Sequence, residues 1–258
     1  MIDIHCHILN QLDDGAKSME QSILMAQQAV ENGFTDIIAT PHYLNSLFNA
    51  PGNLVIETTQ KLRNILLQLQ IPLTIHSGQE IAITNDIAKN IFLGENLSLA
   101  HSKYVLIELP AHDFPIHTEE ILFQLLLEGY IPVIAHPERN QKIIDNPALI
   151  RNLIDRGSLV QITWSSLNGY FGTKSKKTSE YLLKNNLVHF IATDAHDIYN
   201  RSFNITDAKM HLKSIISPEQ QTYLQNNNIF LLQNKTIKQT EFKPLPPKRF
   251  FSLFKSNI

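Results

Sequence analysis

Short runs of apolar and β-branched residues recur along the chain and alternate with longer segments whose apolar positions repeat at helical spacing. Runs of about four to eight such residues are typical of buried strands. The pattern predicts seven strands, namely Ile2–Cys6, Asp36–Thr40, Leu73–Ser77, Tyr104–Glu108, Ile131–Ala135, Leu159–Thr163 and Phe190–Thr193. Because strands that alternate with helices form βα units, the sequence predicts an α/β fold with a parallel sheet.

The segments between the strands carry helix start and stop signals. The first predicted helix begins at Ser18, which forms a capping-box pattern with Gln21, and ends at Asn32 before Gly33. Further helices are predicted over Pro51–Gln70, Thr118–Tyr130, Pro147–Arg156 and Lys176–Asn186, and another begins at Ser217-Pro218. The seven βα units have no Gly/Ser-rich linker at their midpoint, which favours one (β/α)7 barrel over two domains.

The last part of the chain departs from this pattern. We predict a barrel domain over residues 1–242 and a C-terminal tail over residues 243–258. The tail combines a Pro-rich spacer with four basic side chains and the apolar residues Phe250, Phe251, Leu253 and Phe254. One interpretation is a loose chain end, and the other is docking near an anionic membrane surface.

Composition narrows the class of protein. The 258 residues carry a formal net charge of −2, which provides no basic field for nucleic acid. The N-terminus lacks the pattern of a signal peptide, and no stretch approaches the ~20 apolar residues of a membrane span. The single cysteine, Cys6, excludes an internal disulfide and fits a reducing compartment. We therefore expect a cytoplasmic protein that does not insert into membranes.

Side chains that can bind metals follow six of the seven predicted strands at the same end. They are His5, His7, His42, Glu80, Glu108, His136, Asp194 and His196, and the loop after the first strand adds Asp14. The carboxyl ends of barrel strands are where active sites form. A single His or Glu at a strand end is usually solvated, but this many at one end of one barrel predict a metal site.

The ligand types limit the metal and the reaction. Four carboxylates crowded together without cations would repel one another and take up protons. Three divalent ions and one bridging hydroxide would leave a net charge of about +1, which attracts a phosphate dianion. Mixed imidazole and carboxylate ligands suit Mn, Fe, Co or Zn, and the lack of thiolate disfavours a structural zinc site.

Two other phosphate chemistries are excluded by the sequence. The C-x5-R loop of cysteine-dependent phosphatases is absent, because Leu12 stands where its arginine would be. No G-x-x-x-x-G-K pattern is present, so ATP chemistry is not expected.

The motifs that carry these residues resemble a known superfamily. The opening MIDIHCHILNQLDDGAKSMEQSILMA, with TDIIATPHY, GYIPVIAHPERN, SLNGYFG and FIATDAH, resembles the PHP (polymerase and histidinol phosphatase) superfamily. Within it, the chain is similar to the manganese-dependent protein-tyrosine phosphatases of bacterial capsule and exopolysaccharide loci, called CpsB-like. The similarity covers nearly the whole chain.

The resemblance implies a distorted seven-stranded PHP-type barrel with three divalent ions, manganese foremost. It implies one ion held by His5, His7, Glu80 and Asp194, a second by Glu80, Glu108 and His136, and a third by Asp14, His42 and His196. It also implies that Arg139 and Arg201 bind the substrate phosphate. The implied substrate is a phosphotyrosine protein, namely a membrane-associated tyrosine autokinase. Family members often carry proline soon after the second arginine, whereas Ser202 and Phe203 follow here, so we expect an altered substrate rim.

Two alternative functions remain open. A small-molecule phosphatase, such as histidinol-phosphate phosphatase, would share the ligands and differ at the rim, where Pro110–Pro115 lies. A non-enzymatic metal-binding module is disfavoured because every expected ligand is present. Of the remaining polar and aromatic residues, Asp13 is interpreted as a turn former and Phe171 as a core residue.

Overall fold

Parallel strands form a ring surrounded by helices in a computed structural model that describes residues 1–44 and 47–238. The strands are β1 (Ile2–Cys6), β2 (Asp36–Ala39), β3 (His42–Tyr43), β4 (Thr74–Ser77), β5 (Glu80–Ala82), β6 (Tyr104–Glu108), β7 (Ile131–Ala135), β8 (Leu159–Thr163) and β9 (Phe190–Ala192). They form two sheets, ordered β1-β2-β4 and β3-β5-β6-β7-β8-β9, in which neighbours are parallel. The predicted α/β fold is confirmed, and the predicted tail, residues 243–258, lies outside the described residues.

Two short strands that were not predicted, β3 and β5, each follow a predicted strand after a short break near the carboxyl end of the ring. Pro41 separates β2 from β3 and has no N–H with which to continue the ladder. Gly78 lies between β4 and β5, where a Cβ would come within 2.9 Å of Ile38 Cγ2. After the interruptions, His42 of β3 pairs directly with Glu80 of β5. The two breaks therefore place two predicted ligands side by side.

The ring closes between β1 and the residues that follow β9. Cys6 forms a parallel bridge with Ala195. The His7 N–H donates to Ala195 O, and the Asp194 N–H donates to His5 O, both at 2.8 Å. This junction, which we call the seam, brings the histidines of β1 next to Asp194.

Helices cover the outside of the ring. They are α1 (Met19–Glu31), α2 (Gly52–Gln68), α3 (Ile87–Phe92), α4 (Thr118–Leu127), α5 (Gln141–Asp145), α6 (Ala148–Asp155), α7 (Trp164–Asn168), α8 (Gly172–Lys184), α9 (Thr206–Ile215) and α10 (Pro218–Leu232), with 3-10 turns at Leu99–His101 and Pro137–Arg139. The Ser18 cap of α1 is confirmed, but the Gln21 side chain accepts from the Lys17 N–H and does not complete the predicted capping box. Helix α10 begins after Ser217 as predicted, and Ser217 and Gln220 form a capping box there. Helix α9 was not predicted because only Ala208 and Leu212 are buried on it, which leaves a weak apolar repeat.

Buried apolar side chains join the helices to both sheets. One cluster joins Met25 of α1 and Leu62 of α2 to Ile37 of β2. Another joins Leu106 of β6 to Leu231 of α10. No helix among residues 1–44 and 47–238 is both long and apolar enough to cross a bilayer. The packing fixes the strands whose ends carry the predicted ligands.

Candidate metal centre

Three overlapping groups of His, Asp and Glu side chains meet at the carboxyl ends of the strands. They are His5, His7, Glu80 and Asp194; His7, Asp14, His42 and His196; and His42, Glu80 and Glu108. Within each group the candidate ligand atoms lie within 4.8 Å of one another. The first group coincides with the first set that the resemblance implies. The other two groups differ from the second and third sets that the resemblance implies. His42 belongs to both of these groups, and His136 belongs to none.

Two imidazole nitrogens face each other at the centre of the first group. His5 Nε2 and His7 Nε2 lie 3.1 Å apart. Glu80 Oε2 lies 3.2 Å from the first nitrogen and 3.3 Å from the second, and Asp194 Oδ1 lies 3.3 Å from both. All four side chains are fully buried. Four ligand atoms of two chemical types therefore converge on one point.

The opposite nitrogens of these two rings have hydrogen-bond acceptors. His5 Nδ1 lies 3.0 Å from Gln161 Oε1, and His7 Nδ1 lies 2.6 Å from Asp13 Oδ2. When Nδ1 of a neutral imidazole donates to an oxygen, Nε2 carries the lone pair. The facing Nε2 atoms then present two lone pairs to each other, an arrangement that a cation between them stabilises. Acceptors on the second nitrogen are a regular feature of metal-bound histidines.

Glu80 connects the first group to the others. Its Oε2 lies 3.1 Å from His42 Nδ1, and its Oε1 lies 2.6 Å from His136 Nε2. Glu108 Oε2 lies 3.7 Å from His42 Nδ1. The two oxygens of Glu80 therefore face different histidines, as the predicted bridging role requires.

The outer part of the centre lies around Asp14. Its Oδ1 lies 3.3 Å from His196 Nε2 and 3.6 Å from His42 Nε2. The Asp14 side chain is 44% exposed, whereas those of His42 and His196 are largely buried. This edge of the centre is open to solvent.

Several buried polar atoms of the centre make no hydrogen bond within the described part of the chain. They are Glu80 Oε2, Asp194 Oδ1, His42 Nδ1 and His196 Nε2. Leaving such atoms unsatisfied costs about 1–3 kcal/mol each, so native proteins rarely do so without a ligand. Burial and the charges of Glu80 and Asp194 raise the pKa of Glu108 to about 8. The orphaned acceptors and the crowded carboxyls fit divalent cations.

Two of the candidate ligands have a left-handed backbone. His136 has φ of +30° and Asp194 has φ of +52°. Such values are uncommon for residues other than glycine and are found where the surrounding structure enforces them, frequently at active sites. Backbone strain at two strand ends thus coincides with the predicted site.

Two arginines converge on Asp194 from the side away from the imidazoles. Arg139 Nη1 and Arg201 Nη2 each donate to Asp194 Oδ2 at 2.6 Å. Burial opposes the charge of this carboxylate, but Arg201 and Arg139 hold the pKa of Asp194 well below its usual range. Both arginine Nε atoms are buried and make no hydrogen bond among the described residues. They remain able to donate to an anion.

Sequence reasoning did not identify Gln161, and it missed the roles of Phe171 and Asp13 in this site. Phe171, interpreted as core, lies at the site, where its ring centroid is 3.6 Å from Arg139 Cζ and 5.8 Å from Arg201 Cζ. Asp13, interpreted as a turn former, accepts from Gly15 N–H but also from His7 Nδ1 and from the His42 N–H. Neither role follows from spacing along the chain, because each depends on contacts between distant segments.

A cavity of about 250 Å³ opens over the centre and is bordered by both arginines and by Asp14, Glu80, Glu108 and His136. The side chains of His112 and Asp113, in the loop after β6, are exposed. Asn140 ties this loop to the site through hydrogen bonds of 2.7 Å from its Nδ2 to Pro110 O and Asp113 O.

Comparisons with known proteins show which family the chain belongs to. Residues 1–233 match the family described as capsular polysaccharide synthesis, CpsB/CapC. The chain is 41% identical over 254 residues to tyrosine-protein phosphatase YwqE of Bacillus subtilis, covering 98% of this chain and 100% of that protein. It is 39% identical over 257 residues to the putative tyrosine-protein phosphatase CapC of Staphylococcus aureus, with coverage of 98% and 100%.

Solved structures show the same relationship. A chain from the crystal structures of YwqE from Bacillus subtilis and CpsB from Streptococcus pneumoniae, described as unique metal-dependent tyrosine phosphatases, superimposes with a TM-score of 0.91. The two chains are 41% identical, and the match covers 95% of this chain and 100% of that one. The phosphotriesterase homology protein from Escherichia coli, 14% identical with a TM-score of 0.55, shares the fold alone.

Proposed function

The chain belongs to the CpsB/CapC family of capsular polysaccharide synthesis proteins, and we propose that it is a metal-dependent protein-tyrosine phosphatase. The observation that carries the proposal is the set of converging, buried ligand atoms, four of which make no hydrogen bond among the described residues, next to two guanidinium groups. Its relatives in Bacillus subtilis and Streptococcus pneumoniae are tyrosine-protein phosphatases.

We propose three divalent ions, with manganese as the native metal and iron, cobalt or zinc as substitutes. His5, His7, Glu80 and Asp194 would hold the first; Glu80, Glu108 and His136 the second; and Asp14, His42 and His196 the third. The facing nitrogens of the first set, the contact of Glu80 Oε1 with His136 Nε2 and the contacts of Asp14 with His42 and His196 support this division. Bound in this way, the ions would lower the pKa of a bound water and stabilise the phosphoryl oxygens.

Arg139 and Arg201 would bind the phosphate group of the substrate. Planar guanidinium groups match phosphate geometry, and each of these has a buried Nε–H free to donate. Both arginines donate to the same oxygen of Asp194, and both border the same cavity. The phenolic leaving group has a pKa of about 10 and needs less protonation than an alkyl alcohol.

The proposed substrate is a phosphotyrosine protein, specifically a membrane-associated tyrosine autokinase that controls capsular or exopolysaccharide synthesis. The family's link with capsular polysaccharide synthesis supports this choice. We propose that the enzyme acts in the cytoplasm, where such a kinase would present its phosphotyrosines.

The decisive experiment is an assay of metal-stripped protein reconstituted with Mn, Fe, Co or Zn. The substrates are a phosphotyrosine peptide, the matching phosphoserine peptide and histidinol phosphate. We expect metal-restored activity that is highest on phosphotyrosine. Glu80→Ala should abolish it and release more than one metal equivalent, whereas Glu57→Ala, on the exposed face of α2, serves as control.

Each alternative function has its own outcome in this assay. Preference for histidinol phosphate would assign the protein to small-molecule hydrolysis. Metal binding without hydrolysis of any substrate would leave a non-enzymatic module. Full activity of Glu80→Ala with unchanged metal content would refute the bridging role.

A further inference from the structure

A second groove lies beside the loop that carries Arg201. Its volume is about 310 Å³. One side is formed by α7 and the turn after it, and the other by the loop after β9. We call it the Asn groove, and its walls are Trp164, Ser165, Asn168, Gly169 and Tyr170 on one side and Asn200, Ser202, Asn204 and Ile205 on the other.

Both walls of the Asn groove lead to the phosphate-binding arginines. Arg201 lies in the chain between Asn200 and Ser202, so the backbone that carries this arginine is one wall. On the other wall the Tyr170 ring meets the Phe171 ring edge-on at 4.9 Å, and Phe171 stacks on Arg139. The groove is therefore built from segments that carry or contact the two arginines.

Ser202 and Phe203 follow Arg201 in the loop after β9. Phe203 is fully buried against Phe34, while Ser202 faces the groove. The Ser202 hydroxyl accepts from the Asn204 N–H at 3.4 Å, which shapes the loop locally. The buried Phe203 side chain thus anchors the loop, while Asn200, Ser202 and Asn204 present polar groups to the groove.

The chemistry of the groove matches a peptide main chain. None of its walls carries a charged side chain. The exposed carboxamides of Asn168 and Asn200 make no side-chain hydrogen bond within residues 1–44 and 47–238. A carboxamide offers a donor and an acceptor together, as a peptide group requires. The Tyr170 ring, 52% exposed, adds an apolar surface for a neighbouring side chain.

We propose that the Asn groove binds the main chain of the substrate next to the phosphotyrosine. This proposal rests on the proposed function and specifies its substrate as an extended peptide segment with uncharged residues at the bound positions. The occupant is a peptide rather than an ionic ligand, since the groove has hydrogen-bonding groups but no charge to neutralise one.

The test compares substrates with and without a peptide chain. N-acetyl-phosphotyrosine amide serves as the short substrate, and peptides extended by three serine or alanine residues on either side serve as the long ones. The wild type should prefer one of the long peptides. The preference should be nearly independent of salt, because the groove is uncharged.

Asn168→Ala and Asn200→Ala should each lower the long-to-short ratio of kcat/KM by about fivefold, as expected for loss of one hydrogen bond. The loss should fall mainly on KM, because such contacts bind ground state and transition state alike. Asn168→Trp, which fills the groove, should remove the preference. Asn226→Ala, exposed on α10, is the matched control.

The outcomes separate this proposal from the proposed function. If the wild type hydrolyses phosphotyrosine but the three groove variants keep its long-to-short ratio, the Asn groove is not a peptide site. Equal wild-type rates on short and long substrates would overturn it as well. If the wild type hydrolyses histidinol phosphate in preference to every phosphotyrosine substrate, the proposed function itself fails.

Discussion

Replacing Phe171 by leucine tests whether its ring holds the two arginines in place. The side chain keeps an apolar body but loses the π face over which Arg139 lies at 3.6 Å and Arg201 at 5.8 Å. A cation–π contact contributes about 0.5–1 kcal/mol at an exposed site and about 2 kcal/mol when desolvated, within a range of about 6 Å.

The exposure of each arginine and its distance from the ring determine the free energy of its cation–π contact. The Arg139 side chain is 15% exposed and lies close to the ring, which places its contact near the upper value. Arg201 lies near the distance limit and contributes about 0.5 kcal/mol or less. The sum, roughly 1.5–2.5 kcal/mol, corresponds to a loss of about tenfold to seventyfold in kcat/KM if all of it orients the phosphate.

The assay is the hydrolysis of a small aryl phosphate, with bound metal measured on the same samples. Phe171→Leu should lower kcat/KM and weaken inhibition by inorganic phosphate while metal content stays constant. Phe171→Tyr, which keeps the ring, should restore most of the activity. In an Arg139→Ala background the leucine substitution should cost much less, because the main partner of the ring is gone.

Three results would refute this reasoning. Wild-type kinetics for Phe171→Leu would show that the ring does not position the arginines. Equal damage from leucine and tyrosine would point to packing alone. A cost that is undiminished in the Arg139→Ala background would mean that Phe171 acts through other contacts.

Further predictions concern the metal ligands, the phosphate and the acid stability of the fold. Asp13→Asn should weaken metal binding about tenfold to a hundredfold, because this carboxylate accepts from His7 Nδ1 at 2.6 Å; metal titration of the stripped protein measures it. Arg139→Ala and Arg201→Ala should each cost roughly 1.5–3 kcal/mol in kcat/KM with the metals retained, and lysine should rescue only partly. Burial lowers the pKa of His189 to about 3, so its contribution to stability is fully present above pH ~6.5 and is lost as pH falls toward ~3. Urea unfolding of the chelated protein between pH 7 and 4 should therefore show a flatter pH dependence for His189→Asn than for the wild type.

Each of these predictions has a contradicting result. Unchanged metal affinity in Asp13→Asn would return Asp13 to a turn-forming role alone. Wild-type kinetics in either arginine variant would remove that arginine from phosphate binding. Parallel stability curves for wild type and His189→Asn would mean that His189 does not resist protonation in the fold, although its Nδ1 accepts from the Val160 N–H at 3.1 Å.

The sequence was informative where a residue's role depends on its neighbours along the chain. The strands Ile2–Cys6 and Tyr104–Glu108 match their predicted bounds because each is an apolar run with clear ends. Helix α8 begins at Gly172, four residues before the predicted Lys176, and the Ser175 hydroxyl of its first turn donates to Glu138 O at 2.8 Å. This first turn is polar, so no apolar repeat in the sequence predicts it. A tertiary contact stabilises it instead.

Within the site, the limit of sequence reasoning is similar. Strand-end position was enough to select Glu80 and Asp194, which the structure brings together with His5 and His7. The resemblance gives each ion its own histidines, but the structure places His42 within reach of two groups. The register of β3 against β5 determines this placement, and the local pattern around Pro41 does not reveal it.

The seam has a consequence for how the protein matures. It joins β1, the first strand of the barrel, to Asp194 and Ala195, so nearly the whole barrel must be synthesised before the seam can form. Contacts between such distant segments form late and slowly in folding. Cations held across the seam would bind the closed ring but not the unfolded chain. Their binding would therefore shift the folding equilibrium toward the closed ring. Metal supply in the cell would thus govern the lifetime of the folded protein as well as its activity.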